Sequence, residues 1–412
     1  MGMLRAQRFV MRSGERYVSL IDERTRRPHY ASNLFITTQV RNASLSCAAM
    51  VAAAGHLTIL YRFFAIRHID WAARCASGEF LCPHEVDALR DFMSYRFREW
   101  DKCTVEQQMF TVEELLASHG TVHKDVLYSR MTTASRYILW FGRRYFDHLT
   151  PEPEALKNLS EQIKALRPSH KGRNQELKDR ALDERETASL ARYIEVGAAE
   201  NPFDSTVQVR NRLMLTIESE LGIRGGELLN IRVSDCNFST NTLLVARRPD
   251  QKDDPRPYQP LVKTRERRLS VSSELMAEIH DYILGPRRAV RNASRCPYLF
   301  VTHKNGPSVG QPLSISAYQK MWDVLQSTVP ELRAVTGHRL RHSWNHAFST
   351  EMDALSKPPS PEEQEQIRSR WMGWKEGSGT ASQYNRRFIQ AKANEAGLML
   401  QRTSRSRTGG EA

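Results

Sequence analysis

Residues 336–349, TGHRLRHSWNHAFS, concentrate basic side chains in a pattern that could serve a reaction site. On a helix, His338 and Arg341 are three residues apart and His342 is four residues from His338, so these side chains share one face, while Arg339 points elsewhere. Guanidinium groups bind phosphate oxygens through paired N–H donors, and imidazoles can transfer protons. Alone, the segment fits a solvated basic helix face as well as it fits a site.

Three further segments carry residues suited to the same chemistry. In LGIRGGELLNIRVSD, Arg224 follows a helix end and precedes two glycines, so its guanidinium can project from a turn, with Glu227 placed to hold it. In VKTRERRLS, Lys263 would lie at the tip or edge of a β-hairpin. In WMGWKEGSGTASQYNRR, Tyr384 lies ten residues after Trp374. An arginine at a helix end often makes only a salt bridge, so no segment identifies a site by itself.

Helices and strands must alternate to position these residues. Asp183 and Glu186 have capping-box spacing and open a helix, and the helix VQVRNRLMLTIESEL ends at Gly222. Strands are predicted at TLLVARR, YQPLVKT, RRLSV and YLFVT, and helices from Ser272, near 315–328 and after Pro361. Strands in the middle with helices around them predict an α+β domain over residues 182–400, followed by a disordered polar tail at 401–412.

Three segments precede this domain. Residues 1–42 are predicted to form two or three short strands, and residues 43–156 form a helical domain because apolar residues recur three and four apart. Residues 157–181 are predicted to be a basic linker, with seven Lys/Arg against three Asp/Glu over 157–180. This linker is either a solvated connector or a strap that lies against a phosphate backbone, with Lys171 and Arg173 as contacts.

The overall composition favours a polyanionic partner. The 412 residues include 60 Lys/Arg and 47 Asp/Glu, for a formal charge of +13. No apolar run of about 18 residues or more indicates a membrane span, and the first residues lack a signal-peptide core, so a cytoplasmic protein is expected. The six cysteines show neither a CxxC pair nor zinc-ligand spacing, and there is no GxxxxGK[ST] phosphate loop.

Together and in this order, the four segments resemble the tyrosine recombinase (phage integrase) family. Any one of these segments, each called a box below, is a weak signal, whereas four boxes in order with plausible spacing favour the family. The resemblance covers about residues 182–390, and the helical region is similar in position and size to the family's core-binding domain. The matched positions are Arg224, Glu227 and Asp235 in the first box, Lys263 in the hairpin, His338 and Arg341 in HRLRH, and Trp374 and Tyr384 in the last box.

The resemblance implies a fold and an activity. The fold is multidomain α and α+β, with an N-terminal helical core-binding domain followed by a mainly helical catalytic domain with a small antiparallel sheet. The activity is that of a site-specific DNA recombinase or integrase that cleaves and rejoins strands through a 3′-phosphotyrosine intermediate, without metal, cofactor or ATP. The implied partners are double-stranded DNA with inverted-repeat recombination sites, further copies forming a tetramer on DNA, and accessory DNA-bending or partner recombinase proteins. The implied task is integration, excision or transposition of a mobile element.

The resemblance also implies residue roles that fit the chemistry of a phosphodiester. Two guanidiniums, Arg224 and Arg341, would bind the non-bridging oxygens that gain charge in the transition state. Tyr384 would attack, His338 would assist its proton transfer, and Lys263 would protonate the departing 5′-oxygen.

The remaining matched residues would support this set. Trp374 offers one indole N–H and an apolar plate, so it can hold a phosphate oxygen or pack the site. Glu227 and Asp235 are expected to be supporting or structural residues. Arg265 is expected to contact DNA.

Three departures from the family pattern leave alternatives open. Trp374 replaces the usual histidine of the last box. The segment between His342 and Gly373 is longer and more polar than usual, which leaves the tyrosine's placement open by a few residues. The stretch PDQKDDPRPYQP lengthens the hairpin, so Lys252 or Arg265 could be the general acid in place of Lys263. The alternative functions are a catalytically silent DNA-binding protein that keeps the fold, or DNA relaxation of the type IB topoisomerase kind.

Overall fold

A computed structural model describes residues 3–43, 46–97, 120–146, 153–169, 181–260, 262–375 and 393–401. The chain divides into two compact units, one made of residues 1–12 and 16–174 and the other of residues 13–15 and 175–412. The division after residue 174 falls within the segment predicted as a linker. The predicted fold class is confirmed, because the described residues are mostly helical with small antiparallel sheets.

The first unit begins with a two-stranded antiparallel ribbon, β1 (Leu4–Val10) and β2 (Arg16–Asp22). Two strands agree with the predicted two or three, and a third does not form, because α1 (Tyr30–Phe35) continues into a π-helical turn at Ile36–Arg41. The Asn33 side chain accepts from the Leu20 backbone N–H at 2.9 Å and donates to the Leu20 carbonyl at 2.8 Å. It therefore occupies the backbone groups of β2 that a third strand would have used.

Among the described residues, five further helices of the first unit surround an aromatic core. They are α2 (Cys47–Ile66), α3 (Trp71–Ser77), α4 (Pro83–Ser94), α5 (Lys124–Arg143) and α6 (Glu154–Ala165). Helix α2 is long and apolar enough to cross a membrane by length and composition, but half of it is buried inside the protein, as is usual for a core helix. Tyr61 and Tyr137 join α2 to α5 through their hydroxyls.

The start of the predicted linker is helical. Residues 157–165 belong to α6, whose Leu156, Leu159 and Ile163 are buried. Those residues recur at helical spacing, which the basic composition of the segment obscures. Lys171 and Arg173, and nearly all of the tail predicted at 401–412, lie outside the described residues.

The second unit surrounds a three-stranded antiparallel sheet with helices. Its strands are β3 (Cys236–Asn237), β4 (Thr242–Val245) and β5 (Arg267–Ser270), with β4 in the middle. Its helices are α7 (Glu184–Tyr193), α8 (Ser205–Leu221), α9 (Gly225–Leu228), α10 (Ser273–Tyr282), α11 (Ile315–Thr328), α12 (Gly337–Ala354), α13 (Pro361–Met372) and α14 at 393–401. The capping box of Asp183 and Glu186 at the start of α7 is confirmed.

Two predicted strands of this unit are wrong. The described residues of YQPLVKT form no strand and lie in the long connection between β4 and β5. Pro260 lies within this segment and Pro257 just before it, and neither has the backbone N–H that hydrogen bonding between strands needs. In YLFVT, Tyr298 and Val301 make only isolated bridges, and the partner of Val301 is Pro312, which cannot donate to continue the pairing.

Candidate functional site

Arg224 is the N-cap residue of the short helix α9, just after the end of α8. Helix α8 ends at Gly222, which has a left-handed backbone (φ +61°) and turns the chain. The Arg224 backbone N–H donates to Glu227 Oε2 at 3.2 Å, and its guanidinium donates to Glu227 Oε1 at 3.4 Å. About one-third of the Arg224 side chain is exposed. The structure thus places Glu227 where the sequence predicted, against Arg224.

Glu227 is the centre of a buried network that joins the predicted site segments. Besides binding Arg224, its carboxylate accepts from the Thr264 hydroxyl at 2.7 Å and from Arg267 Nη2 at 2.9 Å. It also lies 3.9 Å from Arg341 Nη1. Burial would raise the pKa of Glu227, but the charges of Arg267 and Arg341 and these hydrogen bonds outweigh it and lower the pKa. The carboxylate is therefore ionised at neutral pH.

Lys263 lies beside this network, in the connection that leads to β5. Its side chain is exposed, whereas Val262 and Thr264 on either side are buried. Thr264 binds Glu227, and the backbone N–H of Arg265 donates to the Gly373 carbonyl at 2.9 Å. These two anchors hold the backbone around Lys263 close to Glu227. The alternative acids Lys252 and Arg265 are exposed residues of the same connection.

Helix α12 carries the HRLRH segment, and its two predicted site residues differ in burial. His338 is exposed, and its Nε2 lies 3.2 Å from Nε2 of His342 on the next turn. Arg341 is only 1% exposed and donates to the carbonyls of Gly222 at 2.7 Å and Met372 at 3.3 Å. His338 and Arg341 thus differ in exposure although they are three residues apart on the helix, because the end of α8 packs over Arg341.

Arg339 points away from this site, as the helix geometry predicts. Its guanidinium forms a paired contact with both carboxylate oxygens of Glu186, at 2.5 and 2.6 Å, and donates to the Ala181 carbonyl at 2.9 Å. This contact fixes the start of α7 to the start of α12. Arg339 therefore has a structural role.

The last box is described only as far as residue 375. Helix α13 ends at Gly373, which has φ +67°, and Trp374 follows it, 7% exposed. The Trp374 ring centroid lies 5.2 Å from the Arg341 guanidinium carbon, so the ring packs over Arg341. Tyr384 lies outside the described residues.

Asp235 is a buried residue of the same sequence segment as Glu227. It accepts from the Arg232 backbone N–H at 2.8 Å and from Arg248 Nη1 at 2.9 Å. These bonds cap a turn and tie it to the chain after β4. Asp235 thus fits the structural role expected of it.

Four residues at the candidate site were missed in the sequence. Thr264 and Arg267 bind Glu227, and Glu218 and Tyr318 form a pair in which the tyrosine hydroxyl donates to Glu218 Oε1 at 2.7 Å. Glu218 had a detectable signal, since it occupies an apolar position in the series 214, 217, 218, 221 of helix α8. Arg267 had none, because three arginines share that segment.

Comparison with known proteins gives one family match. Residues 181–354 match the model of the phage integrase family, and no curated protein matches the chain. The XerH site-specific recombinase, in a pre-cleavage complex with its difH substrate, is 13% identical, with a TM-score of 0.48 over 83% of this chain and 78% of that one. The XerA recombinase is 15% identical, with a TM-score of 0.32 over 86% and 92%. The Tn1549 transposon integrase bound to circular intermediate DNA is 14% identical, with a TM-score of 0.38 over 73% and 96%. At these values the likeness to the three structures carries no argument about this chain.

Proposed function

We propose that this protein, a tyrosine-type site-specific recombinase whose residues 181–354 belong to the phage integrase family, cleaves and rejoins DNA through a covalent bond to Tyr384. One observation carries the proposal. The Glu227 carboxylate contacts Arg224 and Arg341 directly and holds the backbone next to Lys263 through Thr264. Three cationic residues from separate segments thereby belong to one network, which is the arrangement that a scissile phosphate requires.

The proposed reaction exchanges one phosphodiester for another. The Tyr384 oxygen bonds to phosphorus, the bond from phosphorus to the 5′-oxygen breaks, and a 3′-phosphotyrosine and a 5′-hydroxyl result. His338 receives the tyrosine proton, and Lys263 supplies a proton to the 5′-oxygen. Attack by a 5′-hydroxyl on the phosphotyrosine reverses these steps and rejoins the strand. Because the bonds exchanged are similar in energy, the cycle consumes no ATP.

The two arginines have different tasks in this proposal. Arg224 is partly exposed and would bind a non-bridging phosphate oxygen directly. Arg341 is buried, and its bonds to Gly222 and Met372 hold the turn before Arg224 and the end of α13 in place. The proposed contact between Arg341 and the phosphate therefore requires its surroundings to open when DNA binds.

The proposed substrate is double-stranded DNA with inverted-repeat recombination sites. As in the family, we propose that four copies assemble on the DNA in the cytoplasm, with DNA-bending or partner recombinase proteins as accessory factors. Lys171, Arg173 and Arg265 would contact the DNA. The task would be integration, excision or transposition of a mobile element.

A nicked duplex that traps the covalent intermediate tests the activity. The probe is a set of such duplexes carrying the sequences that flank the gene's own element, incubated with the full chain in EDTA and separated on a denaturing gel. Wild type should form a covalent protein–DNA adduct, and Tyr384→Phe should form none. Tyr258→Phe, which changes an exposed tyrosine elsewhere in the same unit, should behave as wild type.

The results separate the candidate functions. An adduct that survives in Tyr384→Phe would refute this tyrosine as the nucleophile. No adduct with wild type would favour a catalytically silent DNA-binding protein. Relaxation of a supercoiled plasmid that lacks the element's ends would favour an activity of the type IB topoisomerase kind.

A further inference from the structure

Tyr318, which is partly buried, and the buried Glu218 form a pair at the base of the candidate site. Glu218 lies on the last turn of α8 and is fully buried, and Tyr318 lies on the first turn of α11. The tyrosine hydroxyl donates to Glu218 Oε1 at 2.7 Å. Neither side chain has a role in the reaction proposed above.

The distal end of the Tyr318 ring lies directly against two glycine backbones. A Cβ atom on Gly225 would lie 2.6 Å from Tyr318 Cζ, and one on Gly337 would lie 2.3 Å from the tyrosine hydroxyl and 2.9 Å from Glu218 Oε1. These distances are shorter than any real Cβ contact. Neither glycine has a positive φ, so each is required for the space that it leaves and not for its backbone freedom.

The two glycines adjoin residues of the proposed site. Gly225 directly follows Arg224 at the start of α9, and Gly337 directly precedes His338 at the start of α12. The Tyr318 ring therefore lies between the first residues of two helices that approach from different parts of the sequence. The position of the ring sets how far apart those helix starts can be.

We propose that Tyr318, held in place by Glu218, is a positioning residue that sets the separation between Arg224 and His338. This role rests on the proposed DNA-cleavage function. Misplacing a reacting group by about 1 Å can lower a rate by about a hundredfold, so a fixed spacer between the two residues matters for the reaction.

The acid at position 218 supports a positioning role over simple packing. An apolar side chain would fill this position at lower cost, since Glu218 Oε2 is buried without a hydrogen-bond partner among the described residues. What the glutamate adds is an acceptor that fixes the tyrosine hydroxyl at the point where the two glycine backbones meet. Burial raises the pKa of Glu218 to about 8, so at neutral pH it provides this bond without placing a negative charge beneath the arginines.

A double-mutant cycle on the cleavage rate tests the proposal with the full-length protein and the nicked duplexes described above. Tyr318→Leu removes the distal ring atoms and should slow cleavage in the bound complex by about tenfold or more, while the DNA Kd stays within about twofold. Gly225→Ala should slow cleavage by a similar factor in the wild-type background. In the Tyr318→Leu background its cost should fall at least about fivefold, because the clashing atoms are gone.

Two further variants serve as controls. Gly285→Ala adds a Cβ that meets nothing within 4 Å, so it should leave the rate unchanged and show no coupling to position 318. Glu218→Gln keeps an acceptor for the tyrosine hydroxyl and should cleave within about threefold of wild type, whereas Glu218→Leu should be as slow as Tyr318→Leu. Thermal unfolding of each variant identifies any that is unfolded at the assay temperature. If Gly225→Ala is unfolded, the cleavage rates of the Tyr318 and Glu218 variants decide whether the positioning role holds.

Each outcome bears on a different claim. Equal costs of Gly225→Ala in both backgrounds, or a wild-type cleavage rate in folded Tyr318→Leu, would overturn the positioning role. A wild-type adduct without this coupling overturns that role alone. A wild-type protein that forms no adduct overturns the proposed function together with it.

Discussion

The surroundings of two buried glutamates in the second unit shift their pKa values in opposite directions. Glu227 is contacted by three arginines, and although burial alone would raise its pKa, the charges of Arg267 and Arg341 and the hydrogen bonds from Arg267 and Thr264 lower the pKa. For Glu218, burial dominates over the hydrogen bond from Tyr318, the charge of Glu227 acts in the same direction as burial, and the pKa rises to about 8. The same type of side chain is thus an anion that binds arginines at position 227 and a neutral hydrogen-bond acceptor at position 218.

The raised pKa of Glu218 predicts a dependence of stability on pH. A carboxyl group with a pKa of 4.5 in the unfolded chain and about 8 in the fold binds its proton more tightly when folded. Its contribution to stability is complete below about pH 4.5 and is lost as pH rises towards 8, at about 1.4 kcal/mol per pH unit. Glu218→Gln should abolish this loss. Between about pH 5.5 and pH 7.5, wild type should therefore lose about 2–3 kcal/mol more unfolding free energy than the variant in urea titrations.

Glu274→Gln provides the control, because Glu274 is an exposed acid on the first turn of α10. Its unfolding free energy should follow the wild-type pH dependence. Equal pH dependence in wild type and Glu218→Gln would show that Glu218 is already ionised in the fold at neutral pH.

Among the elements, the long connection between β4 and β5 owes its order to a buried ion pair. Arg256 donates to both oxygens of Asp254, at 2.9 and 2.7 Å, and to the carbonyls of Leu229 and Leu313. The Tyr298 hydroxyl also donates to Asp254, at 3.1 Å. These bonds fasten the part of the connection that precedes Lys263 to the body of the unit.

Removing one member of this pair should be costly. Asp254→Ala leaves the Arg256 guanidinium buried without its carboxylate, so we expect a loss of about 3–5 kcal/mol in unfolding free energy, measured by urea titration. The neighbouring Asp253 pairs with Arg232 but is half exposed, and Asp253→Ala should cost less than about 1 kcal/mol. Similar losses for the two variants would mean that the Asp254 pair contributes no more than a surface contact.

The elements differ in how far the sequence could predict them, for identifiable reasons. The end of α8 at Gly222 and the start of α7 at Asp183 were predicted because glycine and capping residues act locally. The strand at YLFVT was wrong because its pairing depends on Pro312, a residue that its own pattern does not reveal.

The same contrast holds for the candidate site. The motif spacing was enough to predict Arg224 and His338 as site residues. The burial of Arg341 and the parts played by Arg267 and Tyr318 depend on contacts between residues distant in the sequence, so only the fold reveals them.

At the scale of the whole molecule, the formal charge of +13 makes DNA affinity dependent on salt. Each phosphate that the protein neutralises releases condensed counterions, so the logarithm of the binding constant falls with the logarithm of salt concentration by about 0.9 per contact. This slope separates cations that touch the backbone from cations that only add to the net charge. The predicted linker has seven Lys/Arg over residues 157–180, and the salt slope can show whether these cations contact the DNA backbone or only add to the net charge.

We therefore predict that the double variant Lys171→Ala, Arg173→Ala lowers the salt slope of DNA binding by about 2, because two phosphate contacts are lost. The measurement is the Kd for a labelled duplex at a series of salt concentrations. The matched control is Arg185→Ala, Arg192→Ala, which removes the same net charge from exposed arginines that pair with Glu331 and Glu200. That variant should keep the wild-type slope, since those arginines already have protein partners. If both variants change the slope equally, Lys171 and Arg173 act only through net charge, and the segment is a solvated connector and not a strap on the DNA backbone.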